Sequence, residues 1–268
     1  MQATLNIVGA GKVARALAKQ FHVHQVFQVQ DVYSRSFSSA ATACQFVGAG
    51  NPVHDLGELR AADLVMVAVP DDQIRSCSEA LRKQHKVAGD TIVFHCSGAL
   101  SSGELGPITA AASVHPLRSF ADPAQVAEQF AGTICTLEGS ARATDVLRQA
   151  LLQIGARVVS IKPENKALYH AGAVFANNYL VTLMDAALQT MQAAGIDADM
   201  ATAMVQPLAL GAFGDTFRLG AGAALTGPIA RGDVQTVARH EQALQQWDPE
   251  FARLYQALAV ATGRLAKG

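Results

Sequence analysis

The residues with the clearest chemistry are Gly9, Gly11 and Ala14, which follow a short apolar run near the start of the chain. Gly9 permits a tight turn, and Gly11 has no side chain, so phosphates can approach the main chain. Ala14 replaces a third glycine and still lets a helix pack closely on a strand. The spacing predicts a site for a dinucleotide's diphosphate at a helix N-terminus, the alternative being an ordinary strand–helix turn. The predicted cofactor contacts here are Gly9, Ala10, Gly11, Lys12 and Val13.

Two kinds of element alternate over residues 1–160, as a site of this type requires. Short Val- and Ile-rich runs are typical of parallel strands buried on both faces, and amphipathic helical patterns lie between them. From Glu164 onward we find only long apolar helical segments. The sequence predicts an α/β, Rossmann-like doubly wound sheet over residues 1–160, followed by an all-α domain over residues 161–268.

Composition excludes several classes of partner. Lys and Arg number 21 against 22 Asp and Glu, so no basic excess predicts binding to nucleic acid or to a membrane surface. No apolar run reaches membrane-spanning length. The four cysteines are far apart in the sequence, so we expect neither a metal site nor a disulfide framework. The first predicted strand begins close to Met1, so we expect no signal peptide and a cytoplasmic location.

The residues after the second predicted strand bear on the choice of dinucleotide. An acid at this strand end holds the ribose of NAD, whereas an arginine accommodates the 2′-phosphate of NADP. Asp31 lies about the right distance from the glycines, but the apolar pattern continues past it and places it inside the strand. We therefore expect Ser34, Arg35 and Ser36 to face a 2′-phosphate, which favours NADP over NAD. The alternative for Arg35 is a solvated loop cation.

Two further strand ends are expected at the same edge of the sheet, where ligands of open α/β sheets bind. The first carries Ala68, Val69 and Pro70, and the second carries Ser97 and Gly98 after Cys96. We predict that the cofactor contacts Ala68, Val69, Pro70, Ser97 and Gly98. Cys96 could be a nucleophile, but a small buried thiol is the simpler interpretation.

His115 and Arg118 follow the next predicted strand. His115 could polarise or protonate a substrate oxygen, and Arg118 could hold a substrate carboxylate. Histidine's ordinary pKa suits proton transfer, although a structural role at the strand end is the alternative for His115.

A polar stripe follows the predicted domain junction. At about 100° per residue, Lys166, His170 and Asn177 project within about 40° of one another on one helix. Such a stripe must be solvated, paired or turned toward a polar cleft. Lys166 could donate a proton if its pKa is lowered, and Asn177 could hold a substrate oxygen. The alternative is a solvated helix face.

With these residues the chain resembles Rossmann-like proteins that carry a DUF2520 domain, within the 6-phosphogluconate dehydrogenase-like superfamily. The resemblance rests on Gly9-Ala-Gly-Lys-Val-Ala, Val32-Tyr-Ser-Arg-Ser, His95-Cys-Ser-Gly, His115-Pro-Leu, Lys166-Ala-Leu-Tyr-His with Asn177, and Leu225-Thr-Gly-Pro. It implies an NADP-binding domain and a helical domain that commonly dimerises. Lys166 with Asn177 is similar to the lysine–asparagine pair of β-hydroxyacid dehydrogenases, and His115-Pro116 to an element of prephenate and arogenate dehydrogenases. Pyrroline-5-carboxylate reductases are further relatives.

These observations predict an NADP-dependent oxidoreductase acting on a small, polar, carboxylate-bearing metabolite. Lys166, His170 or His115 would donate the proton, while Asn177 and Arg118 would position the substrate. The apolar segment from Glu164 also predicts a homodimer formed through the helical domain, with burial in the domain's own core as the alternative. The competing function is that of a sensor or interaction protein that binds NADP without turnover.

Overall fold

The computed structural model describes residues 2–267 of the chain. It divides into two compact units, the first ending at Phe175 and the second beginning at Ala176. This boundary lies beyond the predicted one at residue 160, because the helix that carries Lys166 packs with the first unit. The Lys166 ammonium is hydrogen-bonded to Ser97, which follows one strand of that unit, and to Ser113, which lies within the next.

An eight-stranded sheet forms the centre of the first unit within the described residues. Its strands are β1 Thr4–Val8, β2 Gln28–Tyr33, β3 Asn51–Val53, β4 Leu64–Val67, β5 Ile92–His95, β6 Ala110–Pro116, β7 Ile134–Gly139 and β8 Arg157–Ser160. They lie in the order β3-β2-β1-β4-β5-β6-β7-β8. All neighbours are parallel except β6 and β7. The strand order reverses between β1 and β4, which is where open α/β sheets bind ligands.

Helices connect these strands. They are α1 Lys12–Val23, α2 Phe37–Val47, α3 Ile74–Lys83, α4 Pro123–Glu128, α5 Ala141–Gln153 and α6 Lys166–Ala176. The structure confirms the predicted α/β class. The sequence pattern did not reveal the short β3 and α4, since so few residues carry little periodicity. It also did not reveal that β7 runs antiparallel to β6, because strand direction depends on where a connection returns.

Buried side chains form two clusters, one on each face of the sheet. Leu64 and Met66 belong to the first cluster, whereas Val65 and Val67 belong to the second. Successive residues of a strand point to opposite faces, so a strand buried on both faces reads as a continuous apolar run. This packing holds the carboxyl ends of the parallel strands rigidly at one edge of the sheet.

The second unit is helical throughout its described residues, 176–267. Its helices are α7 Asn178–Ala193, α8 Ala198–Leu219, α9 Ala221–Ala224, α10 Pro228–Arg231, α11 Val234–Trp247 and α12 Pro249–Leu265. Pro207 lies inside α8 without ending it. Among the described helices of the whole chain, none is both long and apolar enough to cross a membrane.

The expected continuous helix after Glu164 is wrong. A turn of 3₁₀ helix occupies Pro163–Asn165, α6 ends at Ala176, and α7 begins at Asn178. Asn177 lies between the two helices with φ −121° and ψ −66°, outside the α-helical range. The 100° rule therefore holds from Lys166 to His170 but does not extend to Asn177.

Candidate functional site

The glycine turn after β1 has the backbone that its sequence predicts. Gly9 has φ +109°, and a Cβ placed on it would lie 2.2 Å from the Ala68 carbonyl oxygen. Only glycine fits this conformation and this close approach. The Gly9 N–H donates to Tyr33 O at 2.8 Å, and Ala68 N–H donates to Val8 O at 2.8 Å, so the turn is tied to β2 and β4.

The N-terminus of α1 is open to a ligand. Gly11 caps the helix without a side-chain hydrogen bond, and no atom lies within 4 Å of a Cβ placed on it. The first N–H groups of a helix carry partial positive charge and lack partners within the helix. Ala10 is buried, and its carbonyl accepts from Arg15 Nε at 2.8 Å. A diphosphate fits this arrangement of free amides.

The remaining predicted residues of the turn have their own contacts. The Lys12 ammonium donates to Ala121 O at 2.8 Å, so it lies over the loop before α4. Val13 packs against the first buried cluster. Lys12 would have to leave this carbonyl, or share its donors, in order to reach a phosphate.

Asp31 lies inside β2, as the sequence predicts, and its carboxylate is committed to Arg60. Arg60 Nη2 and its backbone N–H donate to the two carboxylate oxygens at 2.6 and 2.8 Å. Burial alone would raise the pKa of Asp31, but these bonds from Arg60 hold that pKa below its usual value. Because the Asp31 carboxylate is paired with Arg60, it is not free to bind a ribose hydroxyl.

Ser34, Arg35 and Ser36 form the loop between β2 and α2. Arg35 is exposed and forms no ion pair with the residues that the structure describes. Ser36 caps α2 by accepting from the Ser39 N–H at 3.4 Å, and its hydroxyl lies 2.7 Å from Ser38 Oγ. The loop therefore offers a free guanidinium and hydroxyls beside the start of a helix.

Lys166 is buried beneath the ends of β5 and β6. Its ammonium donates to Ser97 O at 3.0 Å and to Ser113 Oγ at 2.9 Å, and Ser113 Oγ donates to Ser97 O at 3.2 Å. Burial lowers the pKa of Lys166, although Glu138 and Asp71 oppose this effect. A lowered pKa is the condition under which Lys166 could donate a proton. The hydrogen bonds of its ammonium, however, are made to groups inside the protein.

His115 packs against Gly98, His170 and Tyr169, and we call these four residues the histidine cluster. His115 Nδ1 and the Tyr169 hydroxyl are joined by a hydrogen bond of 2.9 Å. The rings of His115 and His170 lie 5.7 Å apart, edge to face. A Cβ on Gly98 would lie 2.8 Å from His115 Nε2 and 2.4 Å from His170 Cδ2, so only glycine leaves room for both rings.

The electrostatic surroundings keep His115 neutral. Burial, together with the charges of His170 and Lys166, lowers the pKa of His115 to about 4, against the opposing charge of Asp71. At neutral pH the ring is therefore an imidazole with one N–H donor and one acceptor nitrogen.

Sequence reasoning missed three polar residues of this region. Asp71 Oδ2 accepts from the Ser97 hydroxyl at 2.7 Å, and Glu138 accepts from the Ser102 N–H at 2.6 Å and from its hydroxyl at 2.8 Å. Tyr169 is the third. Asp71 directly follows the predicted contact Pro70, and Tyr169 lies between Lys166 and His170, so their positions in the sequence were the available signal.

Other predicted residues have different surroundings. Arg118 donates to the carbonyl of Gln129 and, at 3.3 Å, to Thr133 Oγ1, so its guanidinium braces the segment around β7. Asn177 belongs to the second unit.

Burial raises the pKa of Cys96 to about 12, which agrees with an inert thiol rather than a nucleophile. The described residues contain no cluster of metal-ligating side chains.

Family comparison agrees with this geometry. Residues 2–118 match the Rossmann-like domain, and residues 133–262 match the domain of unknown function DUF2520. The chain carries a Rossmann-like domain followed by a DUF2520 domain. The two matches confirm the resemblance that the motifs indicated. The curated proteins contain no significant match to the sequence.

Solved structures share this fold along nearly the whole chain. A "putative NADP oxidoreductase" from Bacteroides fragilis is 23% identical, with 98% of both chains covered and a TM-score of 0.81. Protein TM1727 from Thermotoga maritima is 25% identical, with 98% of both chains covered and a TM-score of 0.73. A pyrroline-5-carboxylate reductase from Coxiella burnetii is 16% identical, with 99% of both chains covered and a TM-score of 0.55. These likenesses confirm the fold of the DUF2520 protein.

Proposed function

We propose that the protein is an NADP-dependent oxidoreductase that moves a hydride to or from a small polar metabolite. One observation carries this proposal. The open glycine turn after β1 and the histidine cluster after β5 and β6 lie at the carboxyl ends of parallel strands, hence at the same edge of one sheet. The solved structures named as an NADP oxidoreductase and a pyrroline-5-carboxylate reductase support the same class of reaction.

The cofactor supplies the redox chemistry, since the nicotinamide ring gives or accepts the hydride. The chain's own residues would bind and orient it. The free amides at the start of α1 would hold the diphosphate, while Ala68, Val69, Pro70, Ser97 and Gly98 would line the nicotinamide side.

Two residues are proposed for proton transfer, and a third supports the site. His115 and His170 pack against Gly98 at this edge of the sheet, and we assign these two groups to the substrate. Lys166 would act from below by holding Ser97 and Ser113 in place. We also propose that Asn177 orients the substrate.

NADP is the proposed cofactor because Asp31 is bound to Arg60 while Arg35 is exposed and unpaired beside the start of α2. Titration calorimetry with NADPH and NADH tests this choice. We expect Arg35→Ala to weaken NADPH about tenfold or more and NADH by less than twofold, given the strength of an arginine–phosphate pair. Arg142→Ala, at an exposed position on α5, is the control. Equal losses for both cofactors would contradict the assignment of Arg35 to the 2′-phosphate, and no heat with either would refute the proposal.

A substrate screen tests turnover. Purified protein with NADPH is given a panel of ketones, keto acids and cyclic imines, each with and without a carboxylate, and the absorbance of the reduced cofactor is followed. Oxidation restricted to the carboxylate series supports the proposed substrate class, with Arg118→Ala raising KM. Tight binding without oxidation of any compound would favour the NADP sensor instead.

We also propose a homodimer formed through the second unit. Helix α8 exposes large apolar side chains, among them Leu208 at 68% and Phe217 at 78% of their surface. Contiguous exposed apolar surface marks interaction sites in soluble proteins. Sedimentation equilibrium should give twice the chain mass, and Leu208→Glu with Phe217→Glu should weaken the dimer. Val23→Glu, at an exposed apolar position of the first unit, should not.

A further inference from the structure

His95, the last residue of β5, has both ring nitrogens bound to the loop that follows it. The Ser97 N–H donates to Nδ1 at 3.1 Å, and Nε2 lies 3.0 Å from the Ser101 carbonyl oxygen. The side chain is buried, with 0% of the residue's surface exposed. These two contacts connect one ring to the start and to the end of the segment 97–101, which we call the β5 loop.

The partners of the His95 ring decide where its proton lies. A backbone N–H can only donate, so Nδ1 must hold the lone pair that accepts from Ser97. A carbonyl oxygen can only accept, so Nε2 must carry the proton that is donated to Ser101. The neutral Nε2–H tautomer is therefore the one form that satisfies both contacts. The Nδ1–H tautomer loses both bonds, and the doubly protonated ring turns an N–H toward the Ser97 N–H.

Ser97 is the residue of the β5 loop with the most partners. Its carbonyl oxygen accepts from Lys166 Nζ at 3.0 Å and from Ser113 Oγ at 3.2 Å, and its hydroxyl donates to Asp71 at 2.7 Å. Its N–H, by contrast, has His95 Nδ1 as its partner and no other among the described residues. The bond from this N–H is the one that depends on the protonation state of His95.

Gly98 connects the β5 loop to the candidate site. A Cβ placed on this glycine would lie 2.8 Å from the ring of His115 and 2.4 Å from that of His170, so both rings pack closely against the loop backbone. Gly98 directly follows Ser97, and a change in the Ser97 backbone moves the next residue with it. The position of the loop therefore sets where the two rings can lie.

Charged groups on three sides act on His95. Burial is the largest influence and lowers the pKa of His95, and the ammonium of Lys166 on α6 lowers it further. The bond to Ser101 and the carboxylates of Glu138 on β7 and Asp71 after β4 oppose this effect. The net direction is downward, which agrees with the neutral ring that the two contacts require.

We propose that His95 is a positioning residue that, as the neutral Nε2–H tautomer, holds the β5 loop in the place where Gly98 packs against His115 and His170. A proton added to Nδ1 replaces the acceptor of the Ser97 N–H with a second donor, so this bond breaks and the start of the loop is released. The tautomer and the release rest on the contacts alone. Their effect on turnover rests on the proposed function.

Nitrogen NMR of ¹⁵N-histidine-labelled protein at neutral pH, without cofactor, tests the tautomer. The His95 signals are those lost in His95→Asn or, if that variant does not fold, those left after Gln variants have identified the other histidines. We expect the Nε2–H form to exceed the Nδ1–H form about tenfold or more, because the other tautomer loses both hydrogen bonds. Comparable amounts of the two forms, or a doubly protonated ring at neutral pH, would overturn the proposal.

Amide hydrogen exchange of single residues tests the hold on the loop. His95→Leu fills the space without an acceptor and should speed exchange of the Ser97 N–H about tenfold or more relative to the amides of β1. The ratio is the readout because general destabilisation would speed both groups alike. His95→Asn offers a carboxamide oxygen as acceptor and should restore part of the protection. His24→Gln, at an exposed position after α1, is the control. An unchanged ratio in His95→Leu would contradict the proposal.

Acidification of the wild type is a test that needs no variant. Ser97 exchange, corrected for its intrinsic pH dependence and divided by that of β1, should rise over the pH range in which His95 takes up its proton. Protonation of His95 with Ser97 still protected would show that the bond does not hold the loop.

Turnover connects this result with the proposed function. With a substrate from the NADPH screen, His95→Asn should lower kcat about tenfold and change the Kd for NADPH less than about threefold, because displaced rings slow the reaction while the diphosphate turn lies after another strand. An unchanged kcat in a variant with fast Ser97 exchange would remove His95 as a positioning residue. Absence of turnover in the wild type would refute the proposed function and leave the NMR and exchange results standing, so the two failures are distinguishable.

Discussion

Two histidine–tyrosine pairs in this protein have nearly the same geometry and different surroundings. In the first unit His115 and Tyr169 have ring centroids 5.7 Å apart at 83°, and in the second His240 and Tyr255 have centroids 5.9 Å apart at 89°. Their hydrogen bonds measure 2.9 and 3.0 Å. His240 is exposed, whereas His115 is partly buried. The contact itself therefore does not define a site.

What differs is the setting that the fold provides. His115 lies at the end of a strand, under α6, packed against Gly98, where any side chain would clash with its ring, and near the charge of Lys166. His240 and Tyr255 join two neighbouring surface helices, α11 and α12. Desolvation and nearby charge convert an ordinary contact into one that can do chemistry.

The largest expected difference between the pairs is in turnover. His115→Gln should lower kcat/KM by about 10² to 10⁴-fold, the usual contribution of a positioned proton donor or acceptor. His240→Gln should stay within about twofold of the wild type, because surface changes away from a site have small effects. Steady-state kinetics on the substrate found by the NADPH screen measures both. Similar losses in the two variants would remove the distinction drawn between the pairs.

Gly98→Ala should have the next largest effect. The added methyl would lie within 2.8 Å of both histidine rings and force them apart, and misplacement of about 1 Å can cost about 10²-fold in rate. Because rings can turn away, we expect a folded protein with reduced activity rather than unfolding. Gly214→Ala is the control, since nothing lies within 4 Å of its Cβ position in α8. Full activity in Gly98→Ala would show that the cluster tolerates displacement.

The pH dependence of stability is a smaller expected effect. The pKa of His115 is lowered from 6.5 to about 4, so between these values the unfolded chain binds a proton that the folded protein does not. Stability therefore falls as pH falls below about 6.5, by about 2 kcal/mol at pH 5. Urea unfolding at pH 7 and pH 5 measures the difference. His115→Gln should remove most of it, leaving the contribution of His95, whose pKa is lowered in the same direction by burial.

The smallest expected effect is the loss of a single phenol from the exposed pair. Tyr255→Phe should change the free energy of unfolding by less than about 0.5 kcal/mol, whereas Tyr169→Phe should cost about 1 kcal/mol. Urea unfolding at pH 7 compares them. A larger cost for Tyr255→Phe would mean that the helical unit depends on its own histidine–tyrosine contact more than exposure indicates.

Much of the fold could be predicted because its signals are local. The apolar runs of β1, β4 and β5 and the glycines at 9 and 11 are short patterns with a direct backbone meaning. The placement of Asp31 inside β2 was likewise predicted from the apolar residues around it, and its bond to Arg60 explains where its charge goes. The antiparallel direction of β7 left no such pattern.

The candidate site could be predicted only in part. Lys166 and His170 share α6, and His115 follows β6, as the sequence indicates, but the extension to Asn177 failed because the helix breaks there. Arg118 has a plausible position in the sequence, yet its donors are used by Gln129 and Thr133. Tyr169 went unnoticed because its partners belong to distant strands.

By itself, the sequence determined the α/β order, the diphosphate turn and the residue types available to the site, because helical and strand periods and glycine conformations depend on neighbours along the chain. The tertiary structure decided which of those residues meet. His115 and Tyr169 are 54 positions apart, and His115 meets Thr136 only because β6 and β7 run in opposite directions in that register. Such contacts depend on the packing of the whole sheet, which no short stretch of sequence contains.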